Sequence, residues 1–209
     1  MRSLLPIFLA ACGGSEVVSF PDASAVFDAA QLPNLVPAAS LMMAPPTLVS
    51  FRVFPGSSVD VEGCAKLGIR ELLTFDVAIV NVGSVDFLAD PTLGEISPTH
   101  GHVHIKGMAD YRLLREEDGE EVVSTHKQSF CLRDDERVIG TSEARYTCDE
   151  QGISVGWADV YGHKLLCQWL DVTDVYPGRY VIEVELNPEG LHREMTREDN
   201  VWRTEWVRR

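Results

Sequence analysis

Three of the six histidines stand at alternate positions, in Thr99-His100-Gly101-His102-Val103-His104. Successive side chains of a strand point to opposite faces, so the three imidazoles share a face if the segment is extended. Neutral imidazoles suit copper or zinc far better than calcium or magnesium. In an ideal strand the outer pair would sit about 13 Å apart at Cα, so holding one ion requires a bend. Pro98 and Gly101 make such a distortion easier. The competing reading is a solvated polar face that happens to hold histidines.

Further reactive side chains lie in three later segments. These are Thr125-His126-Lys127-Gln128-Ser129-Phe130-Cys131-Leu132, Trp157-Ala158-Asp159-Val160-Tyr161-Gly162, and Cys167-Gln168-Trp169-Leu170-Asp171-Val172-Thr173-Asp174-Val175. None carries weight by composition: a lone Lys is usually a solvated charge and a lone Tyr half-buried packing. Taken in order with the histidines, they resemble the catalytic domain of lysyl oxidases. That family has a His-x-His-x-His copper site, then His-Lys-x-Ser-Phe-Cys-Leu, Asp-x-Tyr-Gly and Cys-Gln-Trp-(Ile/Leu)-Asp-(Ile/Val)-Thr-Asp-Val. The resemblance runs from about Cys64 to Val201 and is dense from His100 to Tyr180.

The resemblance implies that His100, His102 and His104 bind copper, and that Lys127 and Tyr161 condense into lysyl tyrosylquinone, a cofactor derived from the chain itself. It implies an amine oxidase that converts primary amines, peptidyl lysine among them, to aldehydes, consuming oxygen and releasing hydrogen peroxide and ammonia. The chemistry is consistent with this, since no standard side chain is an electrophile able to capture an amine and accept two electrons. Asp159 matches an acid of the family motif and shares a strand face with Tyr161. It is the candidate general base; the alternative is a carboxylate held in a turn or a hydrogen bond. His163 and His192 read as surface histidines, Trp169 and Trp202 as core, and Asn200 as a turn residue. The chain departs from the family at Glu95-Ile96-Ser97-Pro98-Thr99, where a Trp-rich run is usual, at Trp157, which replaces a cysteine, and at His163-Lys164.

The elements that must position these residues have β texture. Leu48–Phe54, Leu72–Val82, His102–Leu114, Glu121–Phe130, Cys167–Val172, Arg179–Leu186 and Val201–Val207 are strand candidates, with Asp118-Gly119 and Pro177-Gly178 as turns. Along Arg179–Leu186, Tyr180, Ile182, Val184 and Leu186 alternate with Glu183 and Glu185. The expectation is an all-β antiparallel β-sandwich with long loops and little helix.

The chain has 209 residues and a formal charge of -14. That charge disfavours nucleic acid and attracts amines or Lys-rich polypeptides. No run of eighteen apolar residues is present, so no ordinary transmembrane helix is expected. Arg2 precedes an apolar run ending Leu9-Ala10-Ala11-Cys12, which resembles the lipobox of bacterial lipoproteins. Residues 1–11 then read as a signal peptide, Cys12 as the lipidation site, 12–47 as a Pro-rich tether and 48–209 as the catalytic domain. The protein would be exported and lipid-anchored to a bacterial membrane, at the outer membrane or cell surface, or else secreted; the anchor would be its only membrane contact. Cys64, Cys131, Cys148 and Cys167 remain, an even number that suits two disulfides in an oxidising compartment. Spacing leaves all three connectivities open; the family resemblance implies Cys64–Cys167 and Cys131–Cys148. The alternative functions are a copper- or zinc-binding sandwich on a surface lipoprotein without amine oxidation, and a purely structural lipoprotein.

Overall fold

The computed structural model describes residues 31–125 and 131–209. Their regular structure is almost all strand. In chain order the strands are β1 (Leu35–Pro37), β2 (Thr47–Val53), β3 (Gly68–Thr74), β4 (Val77–Asn81), β5 (Phe87–Leu88), β6 (Gly94–Ile96), β7 (Val103–Ile105), β8 (Ala109–Arg115), β9 (Glu121–Ser124), β10 (Glu136–Arg137), β11 (Gly152–Ile153), β12 (Trp157–Tyr161), β13 (Trp169–Asp171), β14 (Gly178–Leu186) and β15 (Val201–Arg208). Helical structure among the described residues is confined to α1 (Ser58–Val61) and short 3-10 turns. The fold is all-β, as its sequence texture implies.

Two four-stranded sheets, in the orders β1-β4-β12-β10 and β15-β14-β8-β9, flank a shared core. A three-stranded sheet, β13-β3-β2, and the pairs β5–β11 and β6–β7 complete the frame. Every pairing is antiparallel. Alternation explains β14: Tyr180, Ile182, Val184 and Leu186 are buried against Val77, Ile79, Tyr111 and Leu113. Glu183, on the opposite face, is also buried, because Arg112 from β8 and Arg203 from β15 both reach its carboxylate. The cross-strand arginines offset the desolvation of that charge.

Some elements differ from their sequence reading. The β-branched run Leu72–Val82 breaks at Phe75-Asp76, so β3 and β4 enter different sheets. Asp76 holds this corner: its carboxylate accepts from Ala44 N at 3.0 Å, His163 N at 2.8 Å and His163 Nδ1 at 2.7 Å. Burial opposes its ionisation, yet the His163 bonds keep the carboxyl below its usual range. The run His102–Leu114 is divided by a turn at Lys106-Gly107, where Gly107 takes a φ of 69°. The stretch 32–47 is not a free tether. Leu35 is fully buried, β1 pairs with β4, and Ala38 and Met42 join the core. Its few apolar residues suffice because β4 offers an open edge with unpaired backbone groups.

Candidate metal centre and tyrosine site

The three histidines meet because their segment is a hairpin turn rather than one extended strand. β6 pairs with β7, with Glu95 opposite His104 and Ile96 opposite Val103. Between them the chain folds back: Ser97 N donates to His102 O at 3.0 Å and Gly101 N to Ser97 O at 3.2 Å. Gly101 supplies the left-handed φ of 72° that this reversal needs. Only His104 lies on a strand, and it is buried, while His102 is partly buried and His100 exposed. The turn cancels the separation an extended strand would impose. His100 Nδ1 lies 3.3 Å from His104 Nε2, and His102 Nε2 lies 3.1 Å from the same atom.

One ligand nitrogen from each ring falls within 4.8 Å of the others. Tetrahedral coordination at the usual metal–nitrogen length of about 2.0 Å places ligand nitrogens about 3.3 Å apart, so the spacing fits one transition-metal ion. The donor set, three neutral imidazoles, is one that copper and zinc favour. A second grouping, His102 with Cys131 and Cys148, falls within the same 4.8 Å limit. Those two cysteines form a disulfide, so they offer no thiolate and form a wall of the site instead.

Tyr161 ends β12 and is reached from the histidines through Cys131. Its hydroxyl donates to Cys131 O at 2.8 Å and lies 2.5 Å from Asp159 Oδ2. A phenol has one proton and cannot donate to both at once. Burial pushes Asp159 well above the usual carboxylate range, and the nearby Asp135 adds to this. A protonated Asp159 can donate to the phenolic oxygen while the phenol donates to the carbonyl, which satisfies every polar atom in the chain of bonds. Burial, and then the adjacent Asp159, raise Tyr161 well above its ordinary value, so the resting phenol is neutral.

Beneath this pair, buried Tyr111 donates to Gln168 Oε1 at 3.2 Å, and Gln168 Nε2 donates to Phe75 O at 3.3 Å. The amide of Thr125 donates to Tyr111 O at 3.1 Å. Lys127 and His126 lie outside the described residues, as does Cys12. The two disulfides are Cys64–Cys167 and Cys131–Cys148. Trp169 is core, with Nε1 donating to Cys64 O at 3.2 Å. His192 is not a surface residue: it is buried, with Nε2 2.8 Å from Lys106 O and its ring edge-on to Phe87. Asn200 is also buried and ties Leu186 O to Glu194. Asp135, Tyr111 and Glu62 escaped the sequence reading. Asp135 sits in a charged run that reads as solvated surface, and no local pattern marks the other two.

Two grooves among the described residues are lined by other residues. One of about 780 Å³ is lined by Glu116, Glu120, Glu121, Tyr176 and Arg179; another, of about 380 Å³, by Lys66, Arg70, Ser124, Thr125 and the Cys64–Cys167 disulfide. None of the three histidines, Asp159 or Tyr161 lines either groove.

Fold and site together define a disulfide-braced all-β domain with a three-imidazole cradle for a transition metal beside a half-buried tyrosine paired with a buried carboxyl. Residues 56–207 match the family model described as Lysyl oxidase, and the chain belongs to the lysyl oxidase family. It is 44% identical over 128 residues to Lysyl oxidase homolog 3A of Danio rerio, covering 58% of this chain and 17% of that protein. Human Lysyl oxidase homolog 3 is 41% identical over 128 residues, covering 58% and 17%. Human Lysyl oxidase homolog 1 is 37% identical over 140 residues, covering 65% and 24%. The chain thus spans a quarter or less of the curated relatives it matches.

Proposed function

We propose that this chain is a copper-dependent amine oxidase that converts primary amines, peptidyl lysine among them, to aldehydes. The convergence of His100, His102 and His104 beside Cys131, whose carbonyl accepts the Tyr161 hydroxyl, is the observation that supports it. Copper would be held by the three imidazoles, and a quinone derived from Lys127 and Tyr161 would supply the electrophile and the two-electron redox chemistry. The residues around Tyr161 prepare that ring. Cys131 O and Asp159 fix its hydroxyl from two directions, and the half-buried ring packs against the core that holds Phe75 and Tyr111. Asp159 holds a proton at Oδ2 against the phenolic oxygen and is the acid–base group assigned to this site.

The oxidising compartment that two disulfides require accords with export. Residues 1–11 would be removed and Cys12 lipidated, anchoring the protein to a bacterial membrane. A formal charge of -14 favours encounter with amines and Lys-rich polypeptides.

The test uses copper-loaded mature protein. Wild type should release peroxide from a primary alkylamine, react with phenylhydrazine and yield one covalent Lys127–Tyr161 peptide link. Tyr161→Phe should retain copper but lose link, colour and at least about a hundredfold of the activity, as expected when the group bearing the chemistry is removed. Amine oxidation surviving in Tyr161→Phe would overturn the proposal and leave a metal-binding β domain.

A further inference from the structure

We infer that Glu62 is the positioning residue of the metal centre: its carboxylate clamps the turn that folds His100 back onto His102 and His104. The inference rests on the reading that these three histidines hold a metal. A single oxygen, Glu62 Oε1, accepts from Ser97 Oγ at 2.7 Å, Thr99 N at 3.1 Å and Thr99 Oγ1 at 2.5 Å. Ser97 is buried, and its hydroxyl oxygen in turn accepts the backbone N–H of His100 at 3.1 Å. The Ser97 backbone binds His102 O and Gly101 N. Both members of the histidine set that lie outside a strand are therefore tied to Ser97, and Ser97 is tied to Glu62.

The clamp matters because, besides the other two imidazoles, little among the described residues secures His100. Its side chain is exposed and touches only the other two imidazole rings among the ring contacts of the described residues, and it lies outside both β6 and β7, so no strand ladder places it. Glu62, by contrast, is itself well anchored. It caps α1, with its amide donating to Ser58 O at 2.9 Å, and α1 is pinned by buried Val59 against Leu72 and Trp169. Two residues later the chain is stapled to Cys167. The anchor is thus independent of any bound ion. Hydrogen bonds to an ionised oxygen are about twice as strong as neutral ones, which suits a carboxylate for three donors.

The test has a metal-bound and a metal-free arm. Copper affinity, measured by competition with a chelator, should weaken about 10–100-fold in Glu62→Ala, the range typical for loss of a group that orients metal ligands. Glu62→Gln keeps the shape and should fall between the two. The copper EPR hyperfine pattern of Glu62→Ala should change, since one imidazole loses its fixed approach. In the metal-free chain, amide exchange at His100 should accelerate in Glu62→Ala, although His100 N does not itself touch Glu62. Non-reduced peptide mapping and a thermal melt check that Cys64–Cys167 still forms and the fold is retained. Should Glu62→Ala fail to fold, Thr99→Val at the exposed end of the clamp takes its place and should show a smaller loss of copper affinity in the same direction. Copper affinity within about twofold of wild type together with unchanged His100 exchange would refute the clamp. If wild type takes up no stoichiometric copper, the metal reading fails, while His100 exchange in the metal-free chain still decides whether Glu62 holds the turn.

Discussion

Tyr161 and Asp159 share one strand face, and burial of Asp159, with Asp135 nearby, leaves a carboxyl that stays protonated in the folded chain. The pH dependence follows from the sign of that shift. In the native state Asp159 titrates well above the ordinary carboxylate value of 3.8, so the folded chain holds a proton that the unfolded chain releases. This contribution to stability is complete below the unfolded value and is lost as pH rises from there through the raised native value. Asp76 and Asp171 shift downward and act in the opposite sense, so only a paired comparison isolates Asp159. Asp159→Asn mimics the neutral acid and removes its titration. The melting temperature of Asp159→Asn minus that of wild type should therefore grow as pH increases above about 4. A difference that stays constant with pH would count against a protonated Asp159.

Among the elements, the β6–β7 hairpin holds the three histidines and β12 holds Asp159 and Tyr161, and each is held by a distant part of the chain. The Cys64–Cys167 disulfide closes a sequence separation of 103 residues and ties the base of α1 to the strand entering Trp169. In the chain-entropy model a loop of that length is worth about 4–5 kcal/mol. The double variant Cys64→Ser with Cys167→Ser should lower the urea midpoint by an amount matching roughly that loss. A change of under about 1 kcal/mol would mean that the reduced chain retains the same closure by packing alone. Arg70 adds a second tie, its Nε donating to Asp171 Oδ2 at 2.8 Å between β3 and β13. The double variant should thus weaken the sheet without dissolving it.

At the scale of the whole molecule, the proposed function makes charge and a lipid anchor govern how the protein would meet a substrate. With 18 basic and 32 acidic residues, long-range attraction should favour polycationic substrates over single amines. Raising salt from about 0.05 to 0.5 M shortens the Debye length several-fold, so KM for a Lys-rich polypeptide should rise steeply while KM for a small alkylamine changes little. Equal salt sensitivity for the two would argue against electrostatic capture of a polypeptide. The proposed anchor has its own test: if Cys12 is lipidated, Cys12→Ser should move the protein from the detergent-requiring membrane fraction to the soluble one. An unchanged need for detergent would rule out lipidation at Cys12.

Much of this protein is legible in its residues taken one by one and in short runs. Alternating Tyr180, Ile182, Val184 and Leu186 predict a half-buried strand because the side-chain period of a strand is two, and β14 buries that face. The His-x-His-x-His pattern predicts a transition-metal donor set because it depends only on ligand chemistry. What local pattern could not supply is the path between elements. An extended His100–His104 run would hold its outer imidazoles too far apart for one ion; only the turn at 97–102, tied to Glu62 from a segment 35 residues earlier, brings them together. The break at Phe75-Asp76 hinges on a carboxylate that binds His163, 87 residues away. Asp159 becomes a neutral acid only because folding strips its water and sets Asp135 beside it. Residue type and period are properties of neighbours in sequence, and so they survive without a fold. Convergence and desolvation are properties of neighbours in space, and tertiary packing alone creates them.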